Sequence, residues 1–283
     1  MKKIAWVTDS TASFSKEDKQ WLEENHVFVV PMGVSFGDVT FKEEIDITVD
    51  EFYKKMMNTD TQPMSSQPAL GDFINLYEKL KENYDEAVVI HASSKLTGVY
   101  SSSVQAAEMV GFPINPIDSW IGSFPLRYLI ETGLSLHHKG MEMKQLISEL
   151  IVMREKGKLY LLPSSLEQLR RSGRVSNFGS LIGNILQIKP ILALEEGKVI
   201  IVEKVRTLKK AEKSLLTIFH QAVERGIHNR IAVIYAGDKE AAEALVTKIK
   251  ESYQELRIEK MPLIPVAGVH TGPETIGLAW VEK

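Results

Sequence analysis

The stretch AVVIHASSKLTGVYSSS, residues 87–103, runs from an apolar strand-like segment through a hydroxyl-rich turn into a helical pattern. Its last thirteen positions carry seven hydroxyl side chains, no acid and a single lysine. A turn of this kind exposes the unpaired N–H groups of the first helical turn, and the helix dipole there favours an anion. Three ligands fit such a junction: a phosphate, a carbonyl attacked by serine, or a carboxylate that is merely held. Ser94 either contacts that ligand or caps the helix, and Ser101, Ser102 and Ser103 fall on the helix itself.

The same strand-to-helix rhythm repeats along the first half. Ile4–Val7, Val27–Met32, Ala87–Ile90 and Ile114–Ile117 are β-rich runs, and helical spacing predicts helices over 69–82, 97–110 and 123–139. Strands alternating with helices predict a doubly wound, mainly parallel sheet of α/β/α type. In such sheets ligands collect at the carboxyl ends of the strands, where this chain places Thr8-Asp9-Ser10-Thr11, Ser93-Ser94 and Asp118-Ser119. The polar stretch Arg154–Lys158 marks the boundary between an N-terminal domain, 1–155, and a C-terminal domain, 156–283. Beyond it the pattern becomes α+β, in two layers. A strand at 158–162, a short helix at 164–171 stopped by Gly173, and a hairpin over 191–205 turning at Glu195–Lys198 come first. Strands at 230–236, 257–264 and 276–281 follow, with helices at 207–225 and 238–252.

Composition narrows the chemistry. With 44% hydrophobic and 25% charged residues, the 283-residue chain can bury a sizeable core. A net charge of −3 and the lack of a basic stripe argue against nucleic acid as a partner. The absence of cysteine removes disulfides, thiol catalysis and thiolate metal sites. The N-terminal apolar run is too short for a signal peptide, and no stretch reaches the roughly 18 apolar residues of an integral membrane span. The expected location is the cytoplasm.

Gly33-Val34-Ser35-Phe36-Gly37 matches G-x-S-x-G, but the alternation that follows it predicts a hairpin rather than a nucleophile elbow. Neither glycine-rich nucleotide-binding pattern is present. None of the seven histidines has metal-ligand spacing. His91 follows a strand and reads as a core residue, and His137-His138 as a solvated pair. His270 lies in the glycine-framed segment Val266–Pro273, read as a loop, where the backbone can approach a ligand. Arg174, just past the glycine stop, can direct a fork of donors at a carboxylate or phosphate.

Five segments in order resemble the DegV family of bacterial fatty-acid-binding proteins: Val7–Thr11, Ser65–Pro68, Ser93–Tyr100, Leu169–Ser176 and His270–Pro273. The resemblance runs nearly end to end. It implies two domains with one long-chain fatty acid between them, its chain in an apolar tunnel and its carboxylate held by Ser65, Ser93, Ser94 and His270. It further implies a carrier without catalytic residues, cofactor or metal, which presents the acid to a separate ATP-dependent fatty acid kinase. Arg174 would lie at the site mouth, against the kinase or the transferred phosphate. Ser65, Thr97, Val99, Ser172 and Glu274 depart from the family's usual residues, and Glu274 sets a negative charge where the family has glycine. The alternative is a serine hydrolase using Ser93 or Ser94 with His270, for which no third group is evident to orient the histidine.

Overall fold

The computed structural model describes residues 2–176 and 188–283. Strand β1 (Ile4–Asp9) is buried along its whole length, as a central parallel strand covered on both faces must be. After α1 (Lys19–Glu24), β2 (Val27–Val30) pairs parallel with β1. The run Val27–Met32 therefore divides. Pro31 has no N–H to continue the ladder, and the Met32 N–H donates instead to Ser10 Oγ at 2.9 Å.

From there the chain builds a small antiparallel sheet. β3 (Gly33–Phe36) and β4 (Val39–Lys42) form the expected hairpin, and Gly37 turns it with φ of 59°. Helix α2 (Val49–Met57) opens on a reciprocal capping box between Thr48 and Glu51. β5 (Pro63–Ser66) then joins the free edge of β3.

The chain returns to the parallel sheet through α3 (Leu70–Lys81), which buries Phe73, Tyr77 and Leu80. β6 (Glu86–His91), α4 (Val99–Val110) and β7 (Ile114–Asp118) complete the order β2-β1-β6-β7, every pair parallel. Helices α5 (Ser123–His138) and α6 (Met143–Met153) and a 3-10 turn at Arg154–Lys156 lead into the second unit.

That unit comprises β8 (Gly157–Leu162), α7 (Leu166–Ser172), β9 (Lys189–Glu195), β10 (Lys198–Val205) and α8 (Leu208–Arg225). It continues with β11 (Arg230–Tyr235), α9 (Lys239–Ser252), β12 (Arg257–Pro262), α10 (Pro265–Thr271) and β13 (Ile276–Val281). Among the described residues the strands order β10-β9-β8-β13-β11-β12, and only β11 and β12 run parallel. The period of two in β8 explains the two faces. Tyr160 stacks on Trp280 at 5.1 Å, within the core that includes Phe219 of α8. Leu159 and Leu161 point the opposite way, into the core shared with the first unit.

The segment Val266–Pro273 is not the loop that its glycines suggested. Pro265 starts a helix at a position that needs no N–H, and Gly268 is required by packing rather than by turning. A Cβ at 268 would come within 2.3 Å of Tyr53 Oη. α10 thus docks tightly on α2, and Ile264 and Val266 enter the core of the first unit.

Candidate functional site

Between the two units lies a cavity of about 230 Å³. Its lining is mainly apolar. Leu159, Leu161, Leu192 and Leu194 come from the inward faces of β8 and β9, opposite Ile264 and Val266. Among the polar groups on the wall are Ser65 and Ser66 of β5, Thr97 before α4, Arg174 after α7, and His270 in the last turn of α10.

Of the residues singled out in the sequence, Ser65 and His270 come together. They are 205 positions apart, yet Ser65 Oγ lies 2.9 Å from His270 Nε2, and both line the cavity. Burial, with the Arg174 guanidinium adding repulsion, pushes the imidazole down to about 4. At neutral pH the imidazole is uncharged, and when its Nε2 carries the proton it donates to Ser65 Oγ and leaves the Ser65 hydroxyl proton for an anion. Arg174 stands at the cavity edge and is exposed; its guanidinium donates to Ser172 O at 2.7 Å. It also borders a small outer pocket with Lys95 and Lys198.

Ser93 and Ser94 do not join this pair. Ser93 is fully buried and donates to Gly197 O at 2.7 Å, across to the tip of the β9–β10 hairpin. A hydroxyl has one proton to donate, and this one is spent. Gly197 has φ of 81° and no room for a side chain, because a Cβ there would meet Ser93 Oγ at 2.5 Å. Ser94 is exposed and bonds Asp118 Oδ2 at 2.5 Å. It does not cap α4, whose N-cap is Gly98. The hydroxyl-rich turn therefore contributes Thr97 to the cavity, while Ser93 ties the two units together.

A second serine–histidine constellation, missed in the sequence, lies inside the first unit. Asp9 Oδ2 meets His91 Nδ1 at 2.9 Å, and His91 Nε2 meets Ser103 Oγ at 2.9 Å. This is the connectivity of a catalytic triad. All three side chains are sealed, at 0% exposure, and Ser103 also bonds Tyr77 Oη at 2.5 Å. Burial alone would raise the Asp9 carboxyl, but the hydrogen bond and charge of His91, with Thr11 and the Ala92 N–H, hold it below its ordinary value. Its work is architectural, since Thr11 and Ala92, both on the cavity wall, bond the same carboxylate.

Fold and site together define a two-unit α/β protein with an apolar cavity between the units and a small uncharged polar pair at its wall. The model of the DegV family, whose description reads "Uncharacterised protein, DegV family", matches residues 3–283. Protein DegV of Bacillus subtilis is 31% identical over 282 residues, covering 99% of each chain. The crystal structure of DegV from that organism, "a fatty acid binding protein", superposes with a TM-score of 0.89 at 30% identity, covering 100% of each chain. A fatty-acid-binding DegV family protein from Streptococcus agalactiae gives a TM-score of 0.89 at 26% identity, again over 100% of each chain. This chain belongs to the DegV family. At Glu274, where the resemblance has glycine, the backbone takes φ of 65°, which glycine adopts freely. The Glu274 side chain is exposed and is not part of the cavity lining. Among the described residues no helix is long and apolar enough to cross a membrane.

Proposed function

We propose that this protein binds one long-chain fatty acid in the cavity between its units, with the carboxylate at Ser65 and His270. The reading extends to a cytoplasmic carrier that does no chemistry itself and presents the acid to a separate ATP-dependent fatty acid kinase. The observation that carries it is the Ser65–His270 pair set in the wall of an otherwise leucine-rich cavity. Each methylene removed from water contributes about 0.8 kcal/mol, so the chain supplies most of the affinity. The carboxylate needs partners to offset its desolvation, and neutral donors supply them without locking it in an ion pair. Thr97 extends the cradle, and Arg174 stands where a transferred phosphoryl group would emerge. The serine-hydrolase alternative has less support, because the hydroxyls of Ser93 and Ser94 are bonded to Gly197 and Asp118.

Mass spectrometry of lipid extracted from natively purified protein tests the reading. One equivalent of a long-chain fatty acid is expected. No fatty acid, with no uptake of added palmitate or oleate, would overturn it. Arg174→Ala should leave palmitate binding within about twofold while slowing acyl-phosphate formation by the kinase; unchanged transfer would remove Arg174 from that role.

A further inference from the structure

Helix α10 carries His270, yet little within the helix itself holds it in place. It has seven residues, and its N-cap, Ile264, offers no side-chain hydrogen bond. Helices this short are not stable alone. Pro265 has no N–H, so the first free donor of the helix is Val266 N. That donor is met by Glu43 Oε1 at 2.6 Å, from 223 positions away in the sequence. The other carboxyl oxygen of Glu43 accepts from Ser10 Oγ, which in turn accepts from the Met32 N–H. Two residues before the helix, Leu263 O accepts from Tyr53 Oη at 2.8 Å, and the Tyr53 ring packs on Gly268.

We propose that Glu43 is a positioning residue for the head-group pair: it replaces the missing cap of α10 and fixes the register in which that helix presents His270 to Ser65. A slip of one residue along α10 would turn His270 by about 100° and carry it off Ser65. Glu43 is only 1% exposed, a placement that a carboxyl tolerates only when its bonds are made. Burial, with repulsion from Asp9 and Glu44, pushes it up to about 7 against the bonds from Ser10 and Val266. The other charged groups on the adjoining cleft are Lys16 and Glu17 before α1, Asp50 of α2, and Lys239 and Lys260 of the second unit. Both protonation states of Glu43 are therefore populated near neutral pH, and the ionised form is the better partner for a helix N-terminus.

The inference rests on the proposed head-group role of Ser65 and His270, so its test is read first without fatty acid. In ligand-free protein labelled with 15N-histidine, Glu43→Ala should displace or broaden the His270 imidazole signals while those of His91 stay in place. Glu43→Gln keeps an acceptor for Val266 N–H and should restore them. In the wild type the His270 signals should move through a transition around pH 7 that Glu43→Gln abolishes. Palmitate affinity should fall at least tenfold in Glu43→Ala and stay within twofold in Glu43→Gln. If alanine does not fold, Glu43→Asp, which withdraws the acceptor by one methylene, should give the same displacement. Wild-type His270 signals in Glu43→Ala or Glu43→Asp, or equal losses in the glutamine and alanine variants, would overturn the proposal. Failure of the wild type to bind palmitate would count against the fatty-acid reading alone, because the ligand-free spectra stand apart from it.

Discussion

His91 and His270 each meet a serine, Ser103 and Ser65, at 2.9 Å, and the resemblance stops there. The first pair has an aspartate behind it, at 2.9 Å, and no exposed surface. The second has no acid bonded to it among the described residues but lines a cavity large enough to admit a ligand. Connectivity alone would assign catalysis to the first. Access assigns it a structural part, since no substrate can reach Ser103. Among the described residues the second pair lacks the base-orienting carboxylate that nucleophilic attack requires, and its imidazole, lowered to about 4, is a weak base.

Breaking the sealed constellation should cost the most. Asp9→Ala strands His91, Thr11 Oγ1 and the Ala92 N–H in the core. Its urea midpoint should fall by the equivalent of about 3–5 kcal/mol. An unfolding curve like that of the wild type would contradict the structural part given to Asp9.

Glu43 should move stability with pH in the opposite sense to His270. Its carboxyl is raised from 4.5 to about 7 in the folded state. The folded protein then binds the extra proton between those values, so this contribution to stability is present at pH 4.5 and lost as pH rises through 7. Glu43→Gln should therefore gain stability relative to the wild type on going from pH 5 to pH 8, by at most about 3 kcal/mol. His270, lowered from 6.5 to about 4, contributes stability above pH 6.5 that is lost as pH falls through 4. Parallel pH profiles for the wild type and Glu43→Gln would contradict the buried titration.

Breaking the open pair should spare the fold and reduce binding. Ser65→Ala and His270→Ala should each weaken palmitate binding about tenfold, or about 1.4 kcal/mol, with cooperative unfolding retained. Ser94→Ala, which touches only Asp118 at the surface, should change affinity less than about twofold, within the range of a surface substitution. A serine-directed fluorophosphonate should label neither pair, and labelling at any serine with loss of palmitate binding would revive the hydrolase alternative.

Much of the architecture was legible because it is local. The Phe73, Tyr77 and Leu80 spacing gave α3 to within a residue, and Glu195–Lys198 gave the β9–β10 turn. The small sheet was only half legible: its hairpin follows from alternation, but β5 pairs with β3 from far along the chain, Ser66 lying opposite Gly33. In the site, His270 and Ser65 could be linked only through ordered motifs, since nothing local joins residues so far apart. The hydroxyl cluster misled because a serine that ties two units looks, in sequence, like one that holds a ligand. Glu43 carries no signal at all. It sits in the run Lys42-Glu43-Glu44, which reads as solvated, and only the fold shows that one of the three is buried against a helix end.

A crystal structure of the protein with palmitate would reveal the orientation of the fatty acid in the cavity. A carboxylate oxygen is expected within hydrogen-bond distance of Ser65 Oγ and His270 Nε2, with the acyl chain running over Leu159, Leu161, Leu192 and Leu194. A palmitate lying the other way round, or seated outside this cavity, would contradict that placement.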